Sequence, residues 1–314
     1  MATIKNDLDM TWPTLPLDEW AETYETLHRW IQIVGKTRLV LAPMQNHWWH
    51  CTLYLSARGL DTSPIPYGDR NLEIEFDFID HLLVARTADG ETRSMPLVSQ
   101  TVADFFRDYM AMLGSLGIEP KIYPRPVEIV DATPFAEDRL HATYDADAAQ
   151  RFWRVLTQAD RLLKKFRSRF IGKSSPSHFW WGGFDLACTR FSGRRAPPHL
   201  GGPPNTPEYV NLEAYSHECI SAGFWPGGVG TSVTEPVFYA YAYPEPAGCP
   251  EAAVLPGGTE YNMEWREWFL PYERVRTSPD PDAAVMEFLD STYSAAADLG
   301  DWNRAQLERR GDSG

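Results

Sequence analysis

Residues 46–59 read NHWWHCTLYLSARG and residues 178–193 read HFWWGGFDLACTRFSG. Each places a tryptophan pair at the head of an alternating apolar run. Trp48, Trp49 and Arg58 of the first recur as Trp180, Trp181 and Arg190 of the second, 132 residues later. Ahead of both lies a segment with helical periodicity that ends in an apolar residue, Gly and Lys: Val34-Gly35-Lys36 and Ile171-Gly172-Lys173, 137 residues apart.

Working outward, the same order of elements can be read twice. LPLDEWAETYETLHRWIQIVG spaces Trp20, Tyr24, Leu27 and Ile31 as one helical face with Gly35 as its stop, and TRLVLAP and WWHCTLYLSARG follow as strands. LEIEFDFID alternates with the period of a strand, and TVADFFRDYMAMLGSLG is a helix with Thr101 as N-cap and Gly117 as stop. The second pass runs through a helix over 145–173, the tryptophan strand, VFYAYAYPEP in the place of LEIEFDFID, and a closing helix in SPDPDAAVMEFLDSTYSAAADLG. The expected fold is α+β: two tandem pseudo-repeated units of helix, antiparallel strands and helix, over 11–143 and 144–307, packed as one body. The second unit carries a Pro-, Gly- and aromatic-rich insertion over 194–236, expected to act as a lid.

Composition narrows the function classes. The formal net charge is −14, which opposes a nucleic-acid partner. No apolar run has the roughly 18 residues of a membrane span, and the N-terminus lacks the pattern of a secretory signal, so a cytoplasmic location is expected. The four cysteines, Cys51, Cys188, Cys219 and Cys249, form no CxxC pair and are expected to be reduced, buried thiols. GKT at 35–37 and GKS at 172–174 lack the preceding glycine of a phosphate-binding loop. GxGxxG, HExxH and GxSxG motifs are absent from the chain.

Aromatic and histidine clustering marks the candidate chemistry. In a regular strand His47 and Trp49 share one face and Trp48 and His50 the other, so the two histidines meet at one metal only through a bend. In EAYSHE, Glu213 and His217 share a face if the segment is helical, and Glu218 follows. His47, His50, His217 and Glu218 are therefore the expected acid–base group. The three histidines are also candidate ligands for a divalent transition metal. Glu75 and Asp77, with Glu73, form a carboxylate row, and Tyr239 and Tyr241 a phenol row at the same periodicity. Trp49, His178, Trp181 and Trp225 supply expected walls and Arg194 an anchor for a small polar molecule, while Asp185 and Arg190 are expected to form a structural pair. The leading expectation is a small-molecule enzyme with an aromatic-lined cavity. The alternatives are a non-catalytic binding protein and an interaction module whose aromatics are only core.

Taken together, TLHRWIQIVGK, APMQNHWWH, SPIPYG, EIEFDF, FIGKSSPSHFWWG, FDLACTRFSGRRAPPH, EAYSHE, SAGFWPGG, FYAYAYPEP and LPYERVRTSPDPDA resemble the bacterial family designated domain-of-unknown-function 5996. The resemblance covers roughly residues 11–307. It implies a stand-alone soluble bacterial protein and carries over no catalytic residue.

Overall fold

The computed structural model describes residues 11–309. In chain order the first half holds α1 (Ala21–Leu41), β1 (Tyr54–Leu55), β2 (Gly59–Asp61), β3 (Ile65–Tyr67), β4 (Arg70–Asp77), β5 (Leu82–Thr87), β6 (Thr92–Pro96) and α2 (Val102–Ser115). The second half holds α3 (Ala146–Ser168), β7 (His178–Trp180), β8 (Asp185–Arg195), α4 (Glu208–Ala214), β9 (His217–Trp225), β10 (Val237–Tyr243), β11 (Glu260–Asn262), β12 (Glu267–Pro271), α5 (Tyr272–Arg276), α6 (Pro281–Leu299) and α7 (Arg304–Leu307). The fold is α+β, with two antiparallel sheets and seven helices among the described residues. The first sheet runs β1-β2-β4-β5-β6 with β3 also on β4, and the second runs β11-β12-β10-β9-β8-β7.

The two tryptophan segments meet where the sheets touch. Leu53 N–H donates to the Phe179 carbonyl at 3.0 Å and Phe179 N–H donates back to the Leu53 carbonyl at 2.9 Å, an antiparallel bridge between the lead of β1 and the middle of β7. Around that bridge the echoed residues exchange partners. Lys36 Nζ lies 5.2 Å from the Trp181 ring centre, and Lys173 Nζ lies 5.3 Å from that of Trp49.

Helix α1 is the central post. From Tyr24 to Arg38 all but Glu25 are buried, charged residues included, so the helix is covered well beyond the face that Tyr24, Leu27 and Ile31 mark. It does not stop at Gly35 but runs on through TRLVL, where a strand is expected from the sequence. Gly35 is a contact residue: a Cβ there would come within 2.3 Å of Trp181 Cδ1. Residues 46–48 likewise are not strand but one 3-10 turn, with His47 and Trp48 at φ of 57° and 62°, and of residues 46–59 only Tyr54–Leu55 and Gly59 belong to strands of the sheet. Helices α2, α3 and α6 begin at side-chain caps from Thr101, Asp145 and Asp280.

Within the second sheet, side-chain alternation separates two environments. Leu186, Cys188, Phe224, Phe238, Trp268 and Leu270 belong to the main core, whereas Ala187, Val237, Tyr239 and Phe269 form a second, smaller cluster with Trp180, Trp225 and Tyr241 at its margin. The expected lid over 194–236 is corrected here. Its residues 217–225 are β9, an interior strand paired on both sides, and only the segments flanking β9 lie over the sheet. No helix of the described residues is long and apolar enough to cross a membrane.

Candidate functional site

The second face of this sheet gathers carboxylates. Asp185 stands at the start of β8 opposite Trp180 of β7 and accepts a hydrogen bond from the Tyr239 hydroxyl of β10, across the intervening β9. Only glycine allows that crossing: a Cβ on Gly223 of β9 would lie 2.7 Å from the Tyr239 hydroxyl oxygen and 2.1 Å from the Leu186 carbonyl oxygen. A glycine pair does the same for a second acid. Cβ atoms on Gly182 and Gly183 would meet the Glu128 carboxylate at 2.0 Å and an Asp185 carboxylate oxygen at 2.7 Å, so the WWGGFD turn is stripped of side chains where these acids approach it. Glu128 arrives from a Pro-rich loop with φ of 63°, fixed by its N–H donating to the Pro204 carbonyl at 2.8 Å. Glu267 begins β12.

These acids are deep yet wetted. Glu128, Asp185 and Glu267 each keep an intermediate exposed area although protein surrounds them. Burial, with the Asp185 charge nearby, raises Glu128 from 4.5 to about 7 and Glu267 from 4.5 to about 8. Burial raises Asp185 from 3.8 to about 7 against the lowering effect of the Tyr239 hydrogen bond. Burial also lowers Lys36, from 10.5 to about 8, with Glu128 acting the other way. Neither Glu128 nor Glu267 has a side-chain hydrogen bond or ion pair among the described residues. Four groups that ordinarily titrate far from neutrality are thereby brought close to it.

The segments flanking β9 form the roof. Tyr215 and Tyr241 hydroxyls meet at 2.9 Å, His199 stacks on Tyr215 at 4.5 Å, and Tyr243 donates to the Pro197 carbonyl at 3.0 Å. Asn205 Nδ2 donates to the Ile129 carbonyl at 2.8 Å, which latches this roof to the loop bearing Glu128. A cleft of about 540 Å³ between Ser232–Val237 and Glu260–Met263 shares Val233, Val237 and Phe269 with the small apolar cluster. The larger cleft, about 680 Å³ around Arg167, Phe170, Ser174 and Arg309, lies away from these acids.

Of the residues expected from sequence, Tyr239, Tyr241 and Trp225 lie on this face, and His47, Trp49 and His217 gather at its β8–β9 end. His47 Nδ1 donates to the Ala214 carbonyl at 2.9 Å, while its Nε2 takes Lys173 Nζ at 2.6 Å; Glu213 receives the His47 N–H at 3.2 Å. His217 lies 5.7 Å from the His47 ring, edge to face. His50 accepts from the Gln45 N–H and packs on Trp48, away from the other two. The expected trio of metal ligands is corrected accordingly: both His47 nitrogens are engaged elsewhere, and no group of three His, Cys, Asp or Glu among the described residues is arranged to hold a metal. Glu213 and His217 share no helix, since α4 ends at Ala214 and His217 opens β9.

Other expectations give way to structural roles. Glu75 accepts from Ser56 and Arg86, and Asp77 from Arg58 and the Ile79 and Asp80 amides, so the β4 acids are tied down rather than open to a ligand. Glu218 pairs with Arg194, whose remaining donors reach the Gly300 and Asp301 carbonyls and fasten β8 to the end of α6. Trp181 is core, its Nε1 donating to the Cys51 carbonyl at 2.7 Å. Asp185 and Arg190 do not pair: five residues apart on one strand they face opposite sides, and Arg190 is layered against Phe166, Phe170 and Tyr293. His178 is on the Asp185 face of the sheet, ringed by Trp49, Tyr54 and Trp180 at 5.7, 5.5 and 5.5 Å.

A family model described as a family of unknown function, DUF5996, matches residues 12–309, and the chain belongs to that family. No curated protein and no solved structure matches it.

Proposed function

We propose that this chain is a small-molecule enzyme that performs general acid–base chemistry on an amine-bearing polar substrate, held against the second sheet by Glu128, Asp185 and Glu267. One observation carries the reading: three carboxyl groups raised to about 7, 7 and 8 are grouped around Asp185 beside Tyr239, without an ion-paired cation. Efficient proton transfer needs a pKa near the working pH, and these groups have it. Their charge also calls for a cation that the chain does not supply within contact distance, and the rings of Tyr239, Tyr241, Trp180 and Trp225 suit an ammonium group. Asp185, oriented by the Tyr239 hydroxyl, is the base that would take a proton from the bound ammonium or its neighbouring carbon. Glu128 or Glu267, protonated near neutral pH, would deliver its own proton to the substrate, while the proton taken up stays on Asp185 until it is lost to solvent.

The exchange of lysine–tryptophan partners between halves supports reading the chain as a duplicated unit in which one copy kept the site. On β4 of the first half, Arg58 and Arg86 neutralise Asp77 and Glu75.

The test is calorimetric titration of the full chain with n-butylamine in buffers of differing ionisation enthalpy at pH 6.5. An ammonium that binds among protonated carboxyls must expel protons, so binding is expected to release protons to the buffer. Asp185→Asn and Glu267→Gln should each diminish that release. Amine binding with no proton exchanged, or no amine binding at all, would refute the assignment.

A further inference from the structure

The acidic group has a cationic counterpart one strand row away. Arg38, on α1, is 7% exposed, and its Nε and Nη1 have no hydrogen-bond partner; His178 is 1% exposed, and neither of its ring nitrogens has one. The two share a neighbour in Tyr54, whose ring centre lies 5.4 Å from the Arg38 guanidinium carbon and 5.5 Å from the His178 ring. Of the other buried charges of α1, Lys36 lies over the Tyr123 and Trp181 rings, 5.2 Å from each centre. Arg29 faces Glu25, Asp131 and Asp138, whereas no carboxylate lies within ion-pair distance of Arg38. Asp61, the carboxylate whose charge acts on Arg38, already accepts from the Ser63 amide at 2.8 Å. A buried guanidinium with unbonded donors and an imidazole with neither nitrogen bonded, both packed on Tyr54, have the donors that a planar anion would satisfy.

The register relates the two poles. His178 is paired with Ala187 and Trp180 with Asp185, so His178 and Asp185 are diagonal neighbours on the same sheet face. Such neighbours are about 7–8 Å apart. Trp180 stands between them as an apolar spacer, edge-on to His178 at 5.5 Å. From this juxtaposition we infer that the substrate is a zwitterion, an amino carboxylate whose anionic end binds Arg38 and His178 and whose ammonium end binds Asp185 with Glu128 and Glu267. The inference rests on the amine site proposed above and adds the second pole to it. The shared chemistry is a carboxylate at a fixed distance from an amine.

The test uses the unmodified full chain at pH 7 in calorimetric titrations with straight-chain ω-amino carboxylates from glycine to 6-aminohexanoate, alongside n-butylamine and butyrate. One chain length is expected to bind at least tenfold more tightly than butylamine, with affinity falling for shorter and longer members. His178→Phe and Arg38→Met should erase that gain and leave butylamine binding in place. If butylamine binds as tightly as every amino carboxylate, the inference is overturned while the amine site stands. If no amine-bearing probe binds, both are overturned. These comparisons are made on the unmodified chain, so the outcome does not depend on the Arg38 variant folding.

Discussion

Asp185→Asn isolates the electrostatic cost on which the proposed site depends. In the folded chain Asp185 holds its proton up to about pH 7, against an ordinary value of 3.8. Between those limits the folded state binds more protons at this position than the unfolded state, and stability therefore falls as pH rises. Above about pH 7 the full penalty is present; below about pH 4 it vanishes. A shift of about three pKa units corresponds to a ceiling of about 4 kcal/mol. Because Asp185 keeps contact with solvent, about 2 kcal/mol is the working expectation. Asparagine removes the charge and retains a carbonyl to accept from Tyr239. It also relieves Glu128 and Glu267, both of which feel the Asp185 charge. The wild-type profile alone would not reveal this, since burial lowers His28 to about 4 and His178 to about 3, and those groups tilt stability the opposite way, raising it with pH up to about 6.5. The readout is therefore the difference between variant and parent in urea unfolding at pH 5, 6, 7 and 8. The variant should gain steadily on the parent up to about pH 7 and then level off. Parallel profiles, or a variant that loses ground as pH rises, would show that Asp185 is an ordinary ionised carboxylate.

Three further perturbations follow from the contacts. Gly223→Ala, crowding both the Leu186 carbonyl and the Tyr239 hydroxyl, should cost about 1–3 kcal/mol in urea unfolding and raise the Asp185 pKa further by parting it from the Tyr239 hydroxyl that lowers it. Gly35→Ala should destabilise by about 2 kcal/mol even though alanine favours a helix by about 1 kcal/mol, because its methyl group would overlap the Trp181 ring; a gain in thermal stability would mean that the indole does not lie there. Arg194→Ala, which removes an exposed ion pair to Glu218, should change stability by no more than about 1 kcal/mol and leave butylamine titrations unaltered.

Local pattern made part of this molecule legible. The helices over 102–115, 146–168 and 281–299 announce themselves through caps and periodicity, and the two tryptophan segments do meet, through Leu53 and Phe179. What stayed hidden depends on distant partners. Nothing near Gly35 tells that an indole from residue 181 takes the place of its side chain, so a helix interior reads as a stop. The β4 acids look like a binding wall until Arg58 and Arg86 are seen beside them. Glu128 and Glu267 are single acids in unremarkable surroundings, and Lys36 sits inside a helix. The available signal was Gly182-Gly183: neither has a positive φ, so the pair exists for close approach rather than for turning the chain.

The Leu53–Phe179 bridge also governs how the chain must be assembled. A fragment ending before α3 would offer its first sheet's leading strand to any chain it met, and a fragment starting at α3 would do so with β7. Separately produced halves should therefore clump on their own yet rescue each other when made together.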